Sequence, residues 1–380
     1  MILYELAIMG APTDAQVAEL EQHISHIIAP FGLRLAHEIT LLVRPASFTP
    51  PQLTPSAVVF FGAAGVSDAG LAPILASGIP ILPVASADGS ISAEIPAPLK
   101  VLNCLTVATH GLPRIATAVL ECVGLLPRQR RVFVSYRRDG ARQAALQLFD
   151  ALSARLFDVF LDTHGIAPAE DFQAVLWHRL CDSDVLVMLD TEGYFDSRWT
   201  SAEYGRALAK GISVLRVGWP GVNPSARTAT ASRVDLVAGE VDAATGRLAD
   251  DALNRICLQL EFVRGQSHAV RSLNLFSKLK QGVECIGGNV SGVGVHNAIY
   301  LTLPDGKNIV VYPTVGVPTS INLNEAAERA TGRPVAVVYD HIGLHEQWLD
   351  HLAWLGKNIT VARWVKANEA AWALAGWEVP

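Results

Sequence analysis

Short apolar runs alternate with stretches of helical periodicity from the start of the chain. Residues 3–9 predict a strand, and the turn Gly10-Ala-Pro-Thr-Asp leads into an amphipathic helix running to about residue 28. Residues 58–61 and 79–84 are wholly apolar runs bounded by Gly or Pro, the pattern of parallel strands buried on both faces. Residues 1–127 are therefore expected to form an N-terminal α/β, Rossmann-like domain, with residues 125–131 (LLPRQRR) as a linker.

The middle of the chain runs in regular α/β order. Strands are predicted at 132–135, 159–162, 185–189 and 214–217, and helices at 141–157, 172–181 and 201–209. Strands joined by helices of this length need right-handed parallel crossovers, so a doubly wound sheet follows. The strand, loop, helix, Gly-Ile, strand layout of residues 57–84 returns at 184–217. A degenerate repeat is one reading, and the generic layout of any two βαβ units is the simpler one. Residues 221–245 predict a loop rich in Gly, Ala, Thr and Ser, and a helix at 248–263 is expected to close this domain, giving it the span 128–265. Beyond it, residues 299–303 and 309–312 flank Pro304-Asp305-Gly306-Lys307, a hairpin signal, so 266–380 is expected to be a C-terminal α+β domain.

At 380 residues the chain has room for three such units. Half of its residues are hydrophobic and only 17% are charged, which favours folded structure nearly throughout. A net charge of −6 offers no electrostatic footprint for nucleic acid, although a local patch is not excluded. The five cysteines are widely spaced without a CxxC pair, which suits buried thiols in a reducing compartment. The N-terminus has no basic region before a signal-length apolar run, and no run approaches 18 apolar residues. A cytoplasmic protein without a membrane partner is the expectation.

Ligands of an open parallel sheet lie at the carboxyl ends of its strands, and in the middle domain those ends are polar. The first strand is followed by Tyr136-Arg137-Arg138-Asp139-Gly140, the second ends in Asp162 before Thr163-His164-Gly165, and the third ends in Asp190 and leads to Ser197-Arg198-Trp199. Paired arginines beside a tyrosine suit a dinucleotide, because guanidinium binds pyrophosphate and stacks on aromatic rings. Trp199 and Glu203 lie four apart at a helix start and so share one face. A carboxylate there can hold a ribose diol and stabilise positive charge at the anomeric carbon. Read alone, Trp199 is equally a core anchor and Glu203 an acid favoured by the helix dipole. Asp162 is equally a turn cap, and Arg137 and Arg138 are equally surface ion-pair residues.

These motifs, VFVSYRRDG, DVFLD, SDVLVMLDT and SRWTSAE, resemble TIR domains, and in particular those that cleave NAD⁺ in bacterial antiphage defence and in axon degeneration. The resemblance covers about 90 residues, roughly a quarter of the chain. It implies a flavodoxin-like fold and Glu203 as the catalytic carboxylate. It also implies that Tyr136, Arg137, Arg138, Asp139, Asp162, Thr163, Ser197 and Trp199 line the substrate site, and that residues 163–172 form a gating loop used in head-to-tail assembly. NAD⁺ is then a substrate, no cofactor or metal is expected, and the partners implied are further copies of the domain and an activating ligand or protein. A cyclic ADP-ribose-type product and a non-catalytic scaffold are the alternatives.

Other clusters are weaker. Asp340, His341, His345, Glu346, Asp350 and His351 invite a metal, but no HExxH is present and Gly343 interrupts a helix that would align the histidines. The glycines of 287–294 precede a hairpin and lack the Lys-Ser/Thr of a P-loop, so they suit turns. Five of the eight tryptophans fall in the last 33 residues, as a small core, a ligand cage or an interface.

Overall fold

Each apolar run finds its place in one of three five-stranded sheets of a computed structural model, which describes residues 2–50, 54–68, 70–161, 172–330 and 332–377. The chain divides into two units, Met1–Arg128 and Gln129–Pro380.

In the first unit, β1 (Tyr4–Gly10), β2 (Ile39–Val43), β3 (Ser56–Phe61), β4 (Ile81–Ala85) and β5 (Leu105–Thr106) form a parallel sheet of order β2-β1-β3-β4-β5. The helices are α1 (Asp14–Ile28), α2 (Leu71–Ala76), α3 (Ile91–Glu94) and α4 (Val107–Cys122). Thr13 starts α1 with a capping box: its Oγ1 accepts from Gln16 N at 3.2 Å, and its own N–H donates to Gln16 Oε1 at 2.8 Å. Val17, Leu20, Ile24, Ile27 and Ile28 then recur at helical spacing on the buried face. Gly10, at φ +80°, ends β1 where a Cβ would collide with the carbonyl of Phe61 on β3, so only glycine fits.

In the second unit, β6 (Arg131–Tyr136), β7 (Asp158–Leu161), β8 (Val185–Asp190), β9 (Ser213–Gly218) and β10 (Ser232–Asp235) form a parallel sheet of order β10-β9-β8-β6-β7. Counted along the chain this is the flavodoxin order 2-1-3-4-5, and the first unit's sheet has the same order. The helices are α5 (Arg138–Ser153), α6 (Phe172–Asp182), α7 (Arg198–Ala209) and α8 (Asp250–Cys285). The two-residue pleat of β6 sorts its side chains. Val132, Val134 and Tyr136 enter the core beneath α5 and α8, and Phe133 enters the opposite core with Leu176, Leu180, Tyr204 and Ala207 of α6 and α7.

The third sheet, β11 (Asn289–Val293), β12 (Ile299–Thr302), β13 (Asn308–Thr314), β14 (Val335–Tyr339) and β15 (Arg363–Lys366), is mixed. β11, β12 and β13 pair antiparallel, with the expected hairpin in the register Thr302 opposite Asn308. β13, β14 and β15 pair in parallel through α9 (Ser320–Ala330) and α10 (Glu346–Asn358), and α11 (Ala370–Ala375) follows. Trp377 is buried and Trp348 Nε1 donates to Pro318 O at 2.9 Å, whereas Trp354 and Trp372 are exposed.

Two local expectations are corrected. Residues 221–245 are not all loop, because β10 adds a polar edge strand held by Arg216 of β9, whose Nη1 donates to Asp235 Oδ1 at 2.6 Å. The helix expected at 248–263 continues to Cys285 as a 36-residue helix, about 54 Å long at 1.5 Å per residue. Its first half packs Ala252, Ile256, Cys257, Leu260 and Val263 on the β6–β10 sheet, and its second half packs Leu275, Leu279 and Val283 on the β11–β15 sheet.

Between those halves α8 buries polar groups instead. Arg264 Nε and His268 Nε2 meet the two carboxylate oxygens of Asp184 at 2.9 and 2.8 Å, and Asp184 Oδ2 also accepts from Arg131 N at 3.1 Å. Arg130 pairs with Glu261, and Arg271 donates to Ser183 O and Cys181 O at 2.8 and 2.7 Å. Burial alone would raise the Asp184 carboxyl, but the His268 ring and the Arg264 guanidinium overcome it and hold the group well below the usual range. Burial pushes the His268 imidazole down despite that carboxylate.

The same end of the sheet carries a pH-sensitive contact. His178 Nδ1 of α6 accepts from His345 N at 3.2 Å, and its ring lies 5.6 Å from that of Trp348. Burial, with Arg179 adding to it, lowers the imidazole from 6.5 to about 4. Between those values the unfolded chain binds a proton that the folded one refuses, so stability is full above pH 6.5 and falls as pH drops through the window. His178→Gln is expected to flatten this part of the acid limb in urea melts, and an unchanged slope would contradict the assignment.

Candidate functional site

The carboxyl ends of β6 and β8 are neighbours at the point where the strand order reverses, the usual ligand position in a doubly wound sheet. Glu203 is carried there by α7, which Ser197 starts by accepting from Thr200 N at 3.5 Å. Thr200 Oγ1 in turn bonds Tyr194 O, tying the helix start to the segment that precedes it.

Glu203 is buried, at 3% exposure, and Ser135 Oγ donates to its Oε2 at 2.5 Å. Tyr194 OH lies 2.6 Å from the same Oγ. Ser135 has a single proton and gives it to Glu203, so Tyr194 is the donor in the second bond. Burial and the adjacent Glu203 carboxylate push the Tyr194 phenol well above its ordinary value, which keeps it protonated for that role. The result is a directed chain, tyrosine to serine to carboxylate, whose last bond is charge-assisted.

The other predicted residues fall around this chain unevenly. Arg137 Nη1 donates to Glu192 O at 3.1 Å, joining the two strand ends, and Arg137 lies 4.0 Å from Asp139, which is exposed. Arg138 is exposed at the start of α5. The Trp199 ring is 37% exposed, with the Arg198 guanidinium 4.5 Å from its centroid. Tyr136 lies on the opposite face of the sheet from Ser135, inside the α5 and α8 core, and its buried hydroxyl has no hydrogen-bond partner among the described residues. Asp162, Thr163 and the gating loop expected at 163–172 fall outside the described residues, apart from the backbone of residue 172.

Sequence pattern did not single out Ser135 or Tyr194. Ser135 carried a signal, as the polar member of VFVSY on the face opposite Tyr136; Tyr194 meets it across 59 positions, beyond the reach of local periodicity. Asp190 is buried too, and receives Arg216 Nε at 2.5 Å, so that strand-end carboxylate is committed to a structural pair. Among the described residues no group of three or more His, Cys, Asp and Glu is placed to hold a metal. Asp340 instead pairs with Lys210 at 2.8 Å, and His345 caps α10. No described helix is long and apolar enough to cross a membrane.

Fold and site together define a flavodoxin-like α/β domain with a buried carboxylate beside its topological switch point. The family model for the TIR domain matches residues 132–249, so this part of the chain is a TIR domain. No curated protein matches the chain. Among solved structures, one described as a two-component system response regulator/GGDEF domain protein is 14% identical, over 68% of this chain and 99% of that one, with a TM-score of 0.27. Tagatose-6-phosphate ketose/aldose isomerase from Escherichia coli is 12% identical over 72% and 83%, with a TM-score of 0.20. A PurR family transcriptional regulator from Vibrio parahaemolyticus is 15% identical over 72% and 92%, with a TM-score of 0.18. Likeness at that level bears on no functional argument.

Proposed function

We propose that the TIR domain cleaves the bond between nicotinamide and ribose in NAD⁺, with Glu203 as the catalytic carboxylate. The observation that carries the reading is that a carboxylate is buried at the strand ends and accepts from a chain of hydroxyls. Nicotinamide leaves as a neutral molecule from a cationic pyridinium, the ribose carbon gains positive charge, and a fixed carboxylate stabilises that charge. Water then adds to the anomeric carbon and loses a proton, giving ADP-ribose. Arg137 and Arg138 are assigned to the pyrophosphate, and Asp139, Asp162, Thr163, Ser197 and Trp199 to the rest of the NAD⁺ contact set, while Tyr136, expected there from the sequence, is buried on the other face of the sheet and would join only after rearrangement.

Burial of Glu203 also supports control by rearrangement, since NAD⁺ reaches it only after the site opens. Self-assembly of TIR domains, triggered by a ligand or partner protein, supplies such a step, and the role that fits is a cytoplasmic effector of bacterial antiviral defence whose NAD⁺ depletion must be gated. Incubation of the assembled protein with NAD⁺, with products resolved by chromatography, tests the reading. Nicotinamide with ADP-ribose marks hydrolysis, nicotinamide with a cyclic product marks signalling, and no nicotinamide marks a scaffold. The exposed Trp199 and Arg198 pair is the observation that favours the scaffold, as an interface.

Arg137→Ala tests the part played by Arg137, because it removes the guanidinium whose Nη1 donates to Glu192 O. Loss of one positioning bond is expected to raise KM for NAD⁺ about fivefold with kcat changed less. An unchanged KM would remove Arg137 from the substrate site.

A further inference from the structure

We propose that the cavity between the carboxyl ends of β13 and β14 and the C-terminal ends of α6 and α7 binds a small phosphorylated metabolite of about nucleoside monophosphate size. It encloses about 360 Å³, within the range of small-molecule sites. It also sits where a parallel strand pair places ligands, beside Thr314, Val315 and Gly316 after β13 and Asp340 after β14.

The lining is cationic. Lys210, Arg271 and Lys278 line it with one carboxylate, Asp340, and Asp182 and Asp184 act on Arg271 from behind the wall. Lys210 gives one proton to Asp340 at 2.8 Å and one to Ile342 O, and an ammonium has a third to give. Arg271 is fixed by its bonds to Ser183 O and Cys181 O and keeps further N–H donors. Lys278 is exposed and makes no ion pair among the described residues. A phosphate dianion answers this excess of positive charge and matches fixed guanidinium donors. Asn274 and Thr314 add polar groups, while Ala209, Leu275 and Val315 supply an apolar wall for a ring.

The position gives such a ligand access to the TIR site. Ala209 ends α7 and Lys210 caps it, and Glu203 lies seven residues, about 10 Å, back along the same helix. The wall after β13 is tied to β6 as well: Asp182 Oδ1 accepts Val317 N at 2.9 Å and Arg131 Nη1 at 2.7 Å, and β6 ends at Ser135 and Tyr136. Occupancy therefore biases the two elements that hold the carboxylate and its serine. That consequence for activity rests on the reading of Glu203 above, whereas binding itself does not.

Titration calorimetry of the full chain with AMP and with inorganic phosphate tests the proposal. Saturable binding of AMP is expected, weakened about tenfold or more by Lys278→Glu and by Thr314→Trp, which fills the cavity, and kept by Glu203→Ala. Thermal melts confirm that each variant folds. Absence of binding by both probes overturns the proposal. So does binding that survives Lys278→Glu but is lost in Arg137→Glu, which would place the nucleotide at the ends of β6 and β8. If AMP binds as expected while no preparation releases nicotinamide, the cavity stands and the NAD⁺ reading falls.

Discussion

Glu203→Ala is expected to lower nicotinamide release by the assembled protein about 100- to 1,000-fold, the loss typical of removing one preorganised electrostatic partner of a transition state. Glu203→Gln is the sharper variant. The amide oxygen still accepts from Ser135 Oγ, so the local bonds survive while the charge is gone. If charge at the anomeric carbon is what the residue stabilises, Gln falls nearly as far as Ala. If Gln retains most of the activity, the carboxylate acts by shape alone and the electrostatic mechanism is wrong. Ser135→Ala leaves the charge but removes one bond that positions it, and is expected to reduce the rate by a smaller factor, about tenfold.

Stability should respond most to Asp184. Replacing it by Ala leaves Arg264 buried without its carboxylate and His268 without this acceptor, a loss of about 3–5 kcal/mol, whereas Asn keeps one amide-oxygen acceptor and loses less. For a unit of this size the unfolding midpoint should drop by roughly 10 °C or more. The pH dependence has a definite sign. The carboxyl is held below its unfolded value of about 3.9, so its contribution is complete above that pH and is lost as pH falls through the folded value. Asp184→Asn should lack this limb. A midpoint within 2 °C or so of wild type would mean that the cluster carries little of the fold.

Legibility in the sequence followed the range of the interactions. β6 and β8 were readable because each is a continuous apolar run closed by polar residues, which is what a strand buried on both faces requires. β10 was not, because its four residues form a polar edge in which only Val234 is buried, and it is held by the distant Arg216. The second half of α8 escaped for a related reason. Arg264, His268 and Arg271 interrupt the apolar stripe with charges that look solvent-facing until Asp184 and the Ser183 and Cys181 carbonyls, some 80 to 90 positions away, come into contact. In the candidate site, Glu203 was visible from its four-residue spacing to Trp199 at a helix start, and Ser197 from its place after a strand end. The serine and tyrosine that fix Glu203 are brought to it only by the crossover from β6 to α7. Alternation along VFVSY already implied that Ser135 and Tyr136 point to opposite faces, so a single strand end could not present both to one ligand without rearrangement.

The unbroken α8 also limits how this TIR domain can be exchanged between chains. A recombination point after residue 265 would look conservative on the sequence, yet it would strip His268 from Asp184 and Arg271 from the Cys181 and Ser183 carbonyls at the end of α6. Any new C-terminal partner would have to supply the same imidazole and guanidinium at the same helical phase. The joint is thus a shared inheritance of both sheets, and the cassette that can move intact is the whole of Gln129–Pro380.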